Sequence, residues 1–160
     1  MSMILYKQGN ILSPVEEDKI TIICHQVNCK GIMGAGLAKQ IRSRWPEVYN
    51  RYRHFCYDRL SGGILGHCQL VKADSCTWVA NLFGQLSYGT DKKQTDYDAL
   101  ERALNTLRLQ IVQNKQFSDV TVRIPYNMGC GLAGGNWNVV NSIITNIFND
   151  SPIKVEIWKI

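Results

Sequence analysis

Two glycine-rich segments, NCKGIMGAGLAKQ from Asn28 and IPYNMGCGLAGGNW from Ile124, each follow an apolar, β-type run and each lead into a helical pattern. Strand, loop and helix written twice restrict the chain to folds that alternate the two kinds of element. The loops also carry a chemical expectation. Glycines let the backbone approach a ligand and adopt positive φ, while successive N–H groups near a helix N-terminus offer fixed partial positive charge to an anion. A diphosphate held between two such loops is the first reading.

Six strand-like runs stand out by β-branched and aromatic content: Ile4–Tyr6, Lys19–Cys24, Cys68–Val71, Thr77–Leu82, Val120–Ile124 and Lys154–Trp158. Helices interleave with them. Leu37, Ile41 and Trp45 share one side of the first, and Pro46 either ends it or opens a second carrying Val48, Tyr49, Tyr52, Phe55 and Cys56. Thr95 and Asp98 form a capping pattern ahead of Leu100, Leu104, Leu107 and Ile111. Val139, Val140, Ile143, Ile144, Ile147 and Phe148 form the core stripe of a last helix, closed by Pro152. SGG at Ser61 and YGTDKK at Tyr88 read as loops, the second long enough to act as a flap over a ligand. The expected architecture is an α/β sandwich, a central sheet covered on both faces, with residues 1–160 as one domain.

Apolar residues make up 45% of the 160 and charged residues 19%, the balance of a globular chain rather than a disordered or membrane one. No apolar run approaches the ~20 residues of a membrane span. MSMILYKQGN has no basic n-region ahead of an apolar core, so a cytoplasmic protein is expected. The six cysteines, at 24, 29, 56, 68, 76 and 130, contain no C-x-x-C pair and read as free thiols. Cys24 and Cys76 fall in or beside core strands. Cys29 and Cys130 sit in the glycine segments, where a thiol either fills a small space or becomes reactive beside a helix N-terminus. No His/Cys/Asp cluster at ligand spacing suggests a metal, and no cofactor is implied. Net charge is +5, and the stretch from Lys39 to Arg59 holds six basic residues against two acids. That suits a nucleotide or another polyanion, and equally a solvated helix face. No RNP, zinc-finger or helix-turn-helix signature accompanies it.

Gly31, Gly34 and Gly36 do not give the dinucleotide fingerprint G-x-G-x-x-G, and no G-K-[ST] ending follows. A Rossmann dehydrogenase or a P-loop NTPase is therefore disfavoured. Four pieces taken in order, YKQGNI, HQVNCKGIMGAGLAKQ, VANLFGQ with TDYDAL after it, and IPYNMGCGLAGGNW, resemble the macrodomain family that binds ADP-ribose. The resemblance spans nearly the whole chain. It looks nearest the branch of terminal ADP-ribose glycohydrolases, antitoxin macrodomains and ADP-ribose 1''-phosphate phosphatases. The fold this implies is a three-layer α/β/α sandwich with a central mixed sheet.

Carried over residue by residue, the resemblance implies that Asn10 stands where the family often has an aspartate accepting a bond from the adenine amino group. Ile11 would contact adenine through its backbone. Asn28 matches a residue on the distal ribose hydroxyls, or turns its own loop by a side-chain hydrogen bond. Gly34, Ala35, Gly36 and Leu37 match the loop around the diphosphate and distal ribose, and Met128, Gly129, Cys130, Gly131 and Leu132 match the loop opposite. Trp158 would stack on adenine, or anchor the core. A glutamate at Gly34 or Gly129 is expected to block the diphosphate path with the fold intact.

The departures bear on mechanism. The glycohydrolases of this branch use a lysine after the N-L-x-x run and an aspartate after the second G-C-G-L, and here those places hold Gln85 and Ala133. Glutamine is no nucleophile for the anomeric carbon. The expectation is therefore ADP-ribose binding with hydrolysis of ADP-ribose 1''-phosphate, His25 acting as general acid or base, and Asp91 and Asp96 as weaker candidates. Alternatives are a non-catalytic reader of ADP-ribose, or an ADP-ribosyl hydrolase for modified protein or nucleic acid by a lysine-independent route. The expected partners are ADP-ribose or ADP-ribose 1''-phosphate and ADP-ribosylated macromolecules, with no membrane and a monomeric state.

Overall fold

All six strands form one sheet in the structure, a computed structural model that describes residues 4–59 and 61–160. They are β1 (Ile4–Gln8), β2 (Thr21–Asn28), β3 (Cys68–Lys72), β4 (Thr77–Gln85), β5 (Thr121–Pro125) and β6 (Lys154–Lys159), in the order β1-β6-β5-β2-β4-β3. β3 runs antiparallel to β4 and the other pairings are parallel, so the sheet is mixed. The helices are α1 (Gly36–Arg44), α2 (Pro46–Tyr57), α3 (Ser61–Ile64), α4 (Tyr97–Val112) and α5 (Trp137–Phe148).

The sandwich follows from side-chain alternation. On β2, Ile22 and Cys24 enter a core shared with Leu100, Leu104 and Leu107 of α4 and Val140, Ile144 and Phe148 of α5. Ile23 and Val27 turn the other way, towards Ile41 of α1 and Val48, Tyr52 and Cys56 of α2. A strand buried on both faces needs a nearly unbroken apolar run, and TIICHQV comes close to one. Pro46 opens α2 at its first turn, where its missing N–H costs no helical bond.

Three local expectations are corrected. SGG begins the one-turn helix α3 instead of a loop. The cap of α4 is Asp96, whose carboxylate accepts the Ala99 N–H at 3.0 Å, and not Thr95, whose hydroxyl is donated to the Gly129 carbonyl at 2.5 Å. Val139 faces solvent rather than the core, because the buried stripe of α5 is Val140, Ile143, Ile144 and Phe148.

Connectivity then makes a crevice. From β2 the chain crosses one face through α1 and α2 to reach β3, returns antiparallel as β4, and from β4 crosses the other face through α4 to reach β5, on the opposite side of β2. The two connections part at the C-terminal end of β2, where open α/β sheets leave room for a ligand. Among the described residues no helix is long and apolar enough to cross a membrane.

Candidate functional site

A cleft of about 630 Å³ opens at that place. Its floor is the end of β2, its walls are the two glycine loops, and the flap after β4 contributes Tyr88 and Gly89. Of the residues singled out in the sequence, His25, Asn28, Gly34, Ala35, Gly36, Leu37, Met128, Gly129, Gly131 and Leu132 line it, together with Gln85 and Ala133. Asn10, Ile11, Cys130 and Trp158 are outside this lining, as are Asp91 and Asp96. Among the described residues the lining carries no carboxylate, ammonium or guanidinium.

Gln26 joins the walls. Its amide nitrogen donates to Gln85 Oε1 at 2.8 Å and to Thr95 Oγ1 at 2.9 Å, and Thr95 in turn holds the Gly129 carbonyl. Gln85 passes the link on to the flap by donating to the Ser87 carbonyl at 2.7 Å. Two glycines make room for this amide. The register of β2 on β4 slips at Gly84, and a Cβ there would lie 2.5 Å from Gln26 Oε1. At Gly129, which has φ of +75°, a Cβ would lie 2.8 Å from the same oxygen, so any side chain meets both strain and a collision.

Asn28 ties its own loop. Its Oδ1 accepts from Lys30 N at 3.0 Å and its Nδ2 donates to the Ile32 carbonyl at 2.9 Å, while Tyr52 of α2 donates its hydroxyl to Asn28 Oδ1 at 2.8 Å. One N–H of the Asn28 amide is left over.

His25 is 2% exposed and its Nε2 lies 2.6 Å from Asn81 Oδ1. Asn81 donates its own amide to Gln69 Oε1 at 3.1 Å, which turns its carbonyl oxygen towards the imidazole and places the ring proton on Nε2. Nδ1 remains a buried acceptor without a partner. Burial lowers the pKa to about 4, against the smaller opposing effect of the Asn81 bond, so the ring is neutral at pH 7.

The thiols in the loops are not activated. Burial pushes Cys29 up to about 11 and raises Cys130 above its ordinary value, so both are thiols rather than thiolates at neutral pH. Asn10 spends its carbonyl oxygen on the Leu12 N–H at 2.8 Å, a turn of its own segment. Trp158 lies under the Arg123 guanidinium, 4.5 Å from its ring centroid, and donates Nε1 to Glu156 at 3.1 Å. No group of three or more His, Cys, Asp or Glu among the described residues is arranged to hold a metal.

Sequence reasoning missed Gln26, Ile32, Tyr126 and Asn127, all of which line the cleft. Tyr126 and Asn127 sit between a predicted strand and a predicted glycine loop, which was a usable signal. Gln26 gave none, since a polar residue near a strand end reads as solvent-facing. Large apolar side chains stand exposed at the rim, with Ile32 on one lip, Leu132 on the other and Tyr88 on the flap.

The family model described as Macro domain matches residues 24–144. An ADP-ribose 1''-phosphate phosphatase of Saccharomyces cerevisiae is 32% identical over 114 residues, covering 68% of this chain and 62% of that relative, so the chain spans a little under two thirds of its length. One of the same name from Meyerozyma guilliermondii is 26% identical over 159 residues, covering 92% of this chain and 88% of the relative. Among solved structures, a macrodomain protein of Streptomyces coelicolor superposes with a TM-score of 0.79 at 28% identity, over 98% of this chain and 99% of that one.

Proposed function

The chain belongs to the Macro domain family, and from that membership we propose that it binds ADP-ribose in the cleft and hydrolyses ADP-ribose 1''-phosphate to ADP-ribose and inorganic phosphate. The observation that carries the reading is the cleft's lining, two amide-rich loops face to face with no charged side chain between them. A diphosphate there meets backbone N–H groups and the N-terminus of α1 and no carboxylate. Ile32, Leu132 and Tyr88 supply apolar surface that a nucleotide would cover, and the leftover Asn28 N–H is free for a ribose hydroxyl.

In the reaction a water attacks phosphorus, the bond from phosphorus to the ribosyl oxygen breaks, and the water's proton ends on the leaving group. His25 contributes to the cleft floor, with its Nδ1 buried out of reach of that water and its Nε2 held by Asn81. With a pKa of about 4 it is a weak base at neutral pH, so orientation and stabilisation of charge by loop amides contribute more than proton removal. The names of the two yeast relatives support the same reaction class. A second reading, a non-catalytic reader of ADP-ribose or of ADP-ribosylated macromolecules, is favoured by Gln85 and Ala133 standing where a lysine and an aspartate would act. Calorimetric titration with ADP-ribose, run beside phosphate release from ADP-ribose 1''-phosphate, separates them. Binding with phosphate release supports the phosphatase, binding without it the reader, and no binding overturns both.

A further inference from the structure

One side of α1 and α2 carries a short ladder of guanidinium groups and aromatic rings. Arg42 lies over the ring of Tyr49 at 4.0 Å and Arg53 over that of Tyr57 at 5.2 Å, while Arg59 lies over the half-buried Phe55 at 4.0 Å on the opposite flank of α2. Tyr49, Arg53 and Tyr57 are spaced by four residues, so they line one side of α2 with about 6 Å between rungs. Among the described residues none of Arg42, Arg53 and Arg59 pairs with a carboxylate, whereas the neighbouring Arg51 pairs with Glu47 at 3.6 Å. The stretch from Lys39 to Arg59, with six basic residues and two acids, holds most of the chain's net +5.

We infer that this face binds single-stranded nucleic acid. A guanidinium has five N–H donors, so Arg42 over its ring, and Arg53 even with one donor given to Tyr57, keep N–H groups for phosphate oxygens, and the ring of Tyr57, 66% exposed, offers a surface for a base. Phosphate contacts alternating with base stacking are how single strands are held without regard to sequence, and a duplex has no free base faces to give. The ladder also meets the cleft. Gly31 packs against Arg53 and Cys56, and it lies between Asn28 and Ile32 of the first loop, both of which line the cleft. A strand lying on α2 therefore passes beside the mouth of the site, and its binding is independent of what the cleft itself accepts.

The test is fluorescence anisotropy with a labelled oligothymidylate of about 15 nucleotides. Binding is expected to weaken with salt with a log–log slope of about −1.4, for two neutralised phosphates. Arg42→Glu with Arg53→Glu is expected to weaken it at least tenfold, and the milder Arg42→Ala with Arg53→Ala several-fold. Tyr57→Ala is expected to weaken it about fivefold with the salt slope unchanged. Circular dichroism and an unaltered ADP-ribose titration in these variants report that fold and cleft are intact. Absence of oligonucleotide binding by the wild-type chain overturns the inference. So does equal binding of duplex, indifference to Tyr57→Ala, or displacement by polyglutamate at matched charge, which assigns the face to an acidic protein instead.

Discussion

With Nε2 committed to Asn81 and burial holding its pKa at about 4, His25 stays uncharged in the folded chain well below the pH at which an ordinary histidine takes up its proton, near 6.5. Between those values the unfolded state binds more protons, so this group's contribution is intact above pH 6.5 and stability falls by about 1.4 kcal/mol per unit as pH drops towards 4. Urea midpoints measured across that range should show the slope in the wild-type chain and lose it in His25→Gln; identical slopes would assign the acid sensitivity to other groups. The two glycine walls call for different substitutions. A Cβ at Gly34 meets nothing nearer than Ile32 at 3.6 Å, so Gly34→Glu should fold normally and abolish calorimetric ADP-ribose binding, and unchanged affinity would remove that loop from the site. The sequence expectation that a glutamate at Gly129 would leave the fold intact is corrected by the collision with Gln26; even Gly129→Ala should lower stability by about 1 kcal/mol or more. At Gln85 no covalent adduct is expected. Borohydride added during turnover, followed by mass spectrometry, should find no ADP-ribosyl lysine, and a stoichiometric adduct at Lys92 or Lys93 would restore the lysine-dependent route.

The connection from β1 to β2 has little regular structure and is fastened from beneath. Arg123 on β5 donates to the carbonyls of Ile11 at 2.9 Å and Ser13 at 2.8 Å, and Arg44 at the end of α1 donates to that of Leu12 at 2.7 Å. Glu156 of β6 lies 3.7 Å from Arg123 and balances its charge. Arg123→Gln would leave those carbonyls and the buried carboxylate short of a donor, at a cost of about 3 kcal/mol; chemical denaturation measures it, and a loss under ~1 kcal/mol would show that Lys7 and Lys154, which also face Glu156, suffice. Elements of this kind also mark where the sequence was readable. The strands were legible because β2, β4 and β5 are covered on both faces and must be apolar throughout. The cap of α4 was misplaced by one residue because Thr95 is claimed by Gly129, a partner far away in the chain. The glycine loops were legible by composition, and Ile32, Tyr126 and Asn127 lie within the segments that carry them, whereas Gln26 becomes a site residue only through the order of the strands. A period of two tells which face a side chain takes and not what lies beyond the strand's end.

At the scale of the whole molecule, a ligand that fits only the folded cleft adds its binding free energy to stability. ADP-ribose at a hundredfold excess over its Kd should add about 2.7 kcal/mol, seen as a rise in Tm of roughly 5–10 °C. No shift at saturating ADP-ribose would sink the cleft as its site. The same sheet order that opens the cleft sets the sequence of events during synthesis. β1 lies at an edge and its neighbour is β6, with Ile4 opposite Val155 and the Gly9 N–H bonded to the Lys159 carbonyl at 2.8 Å. On the ribosome the first strand to emerge is therefore the last to find a partner. While β2, β4 and β5 assemble, the β1 segment waits as an unpaired ribbon with a free edge, a state that invites pairing with other nascent chains. A stall before Lys154 would prolong it, and the exposed basic residue Lys7 on that strand is placed to discourage such contacts.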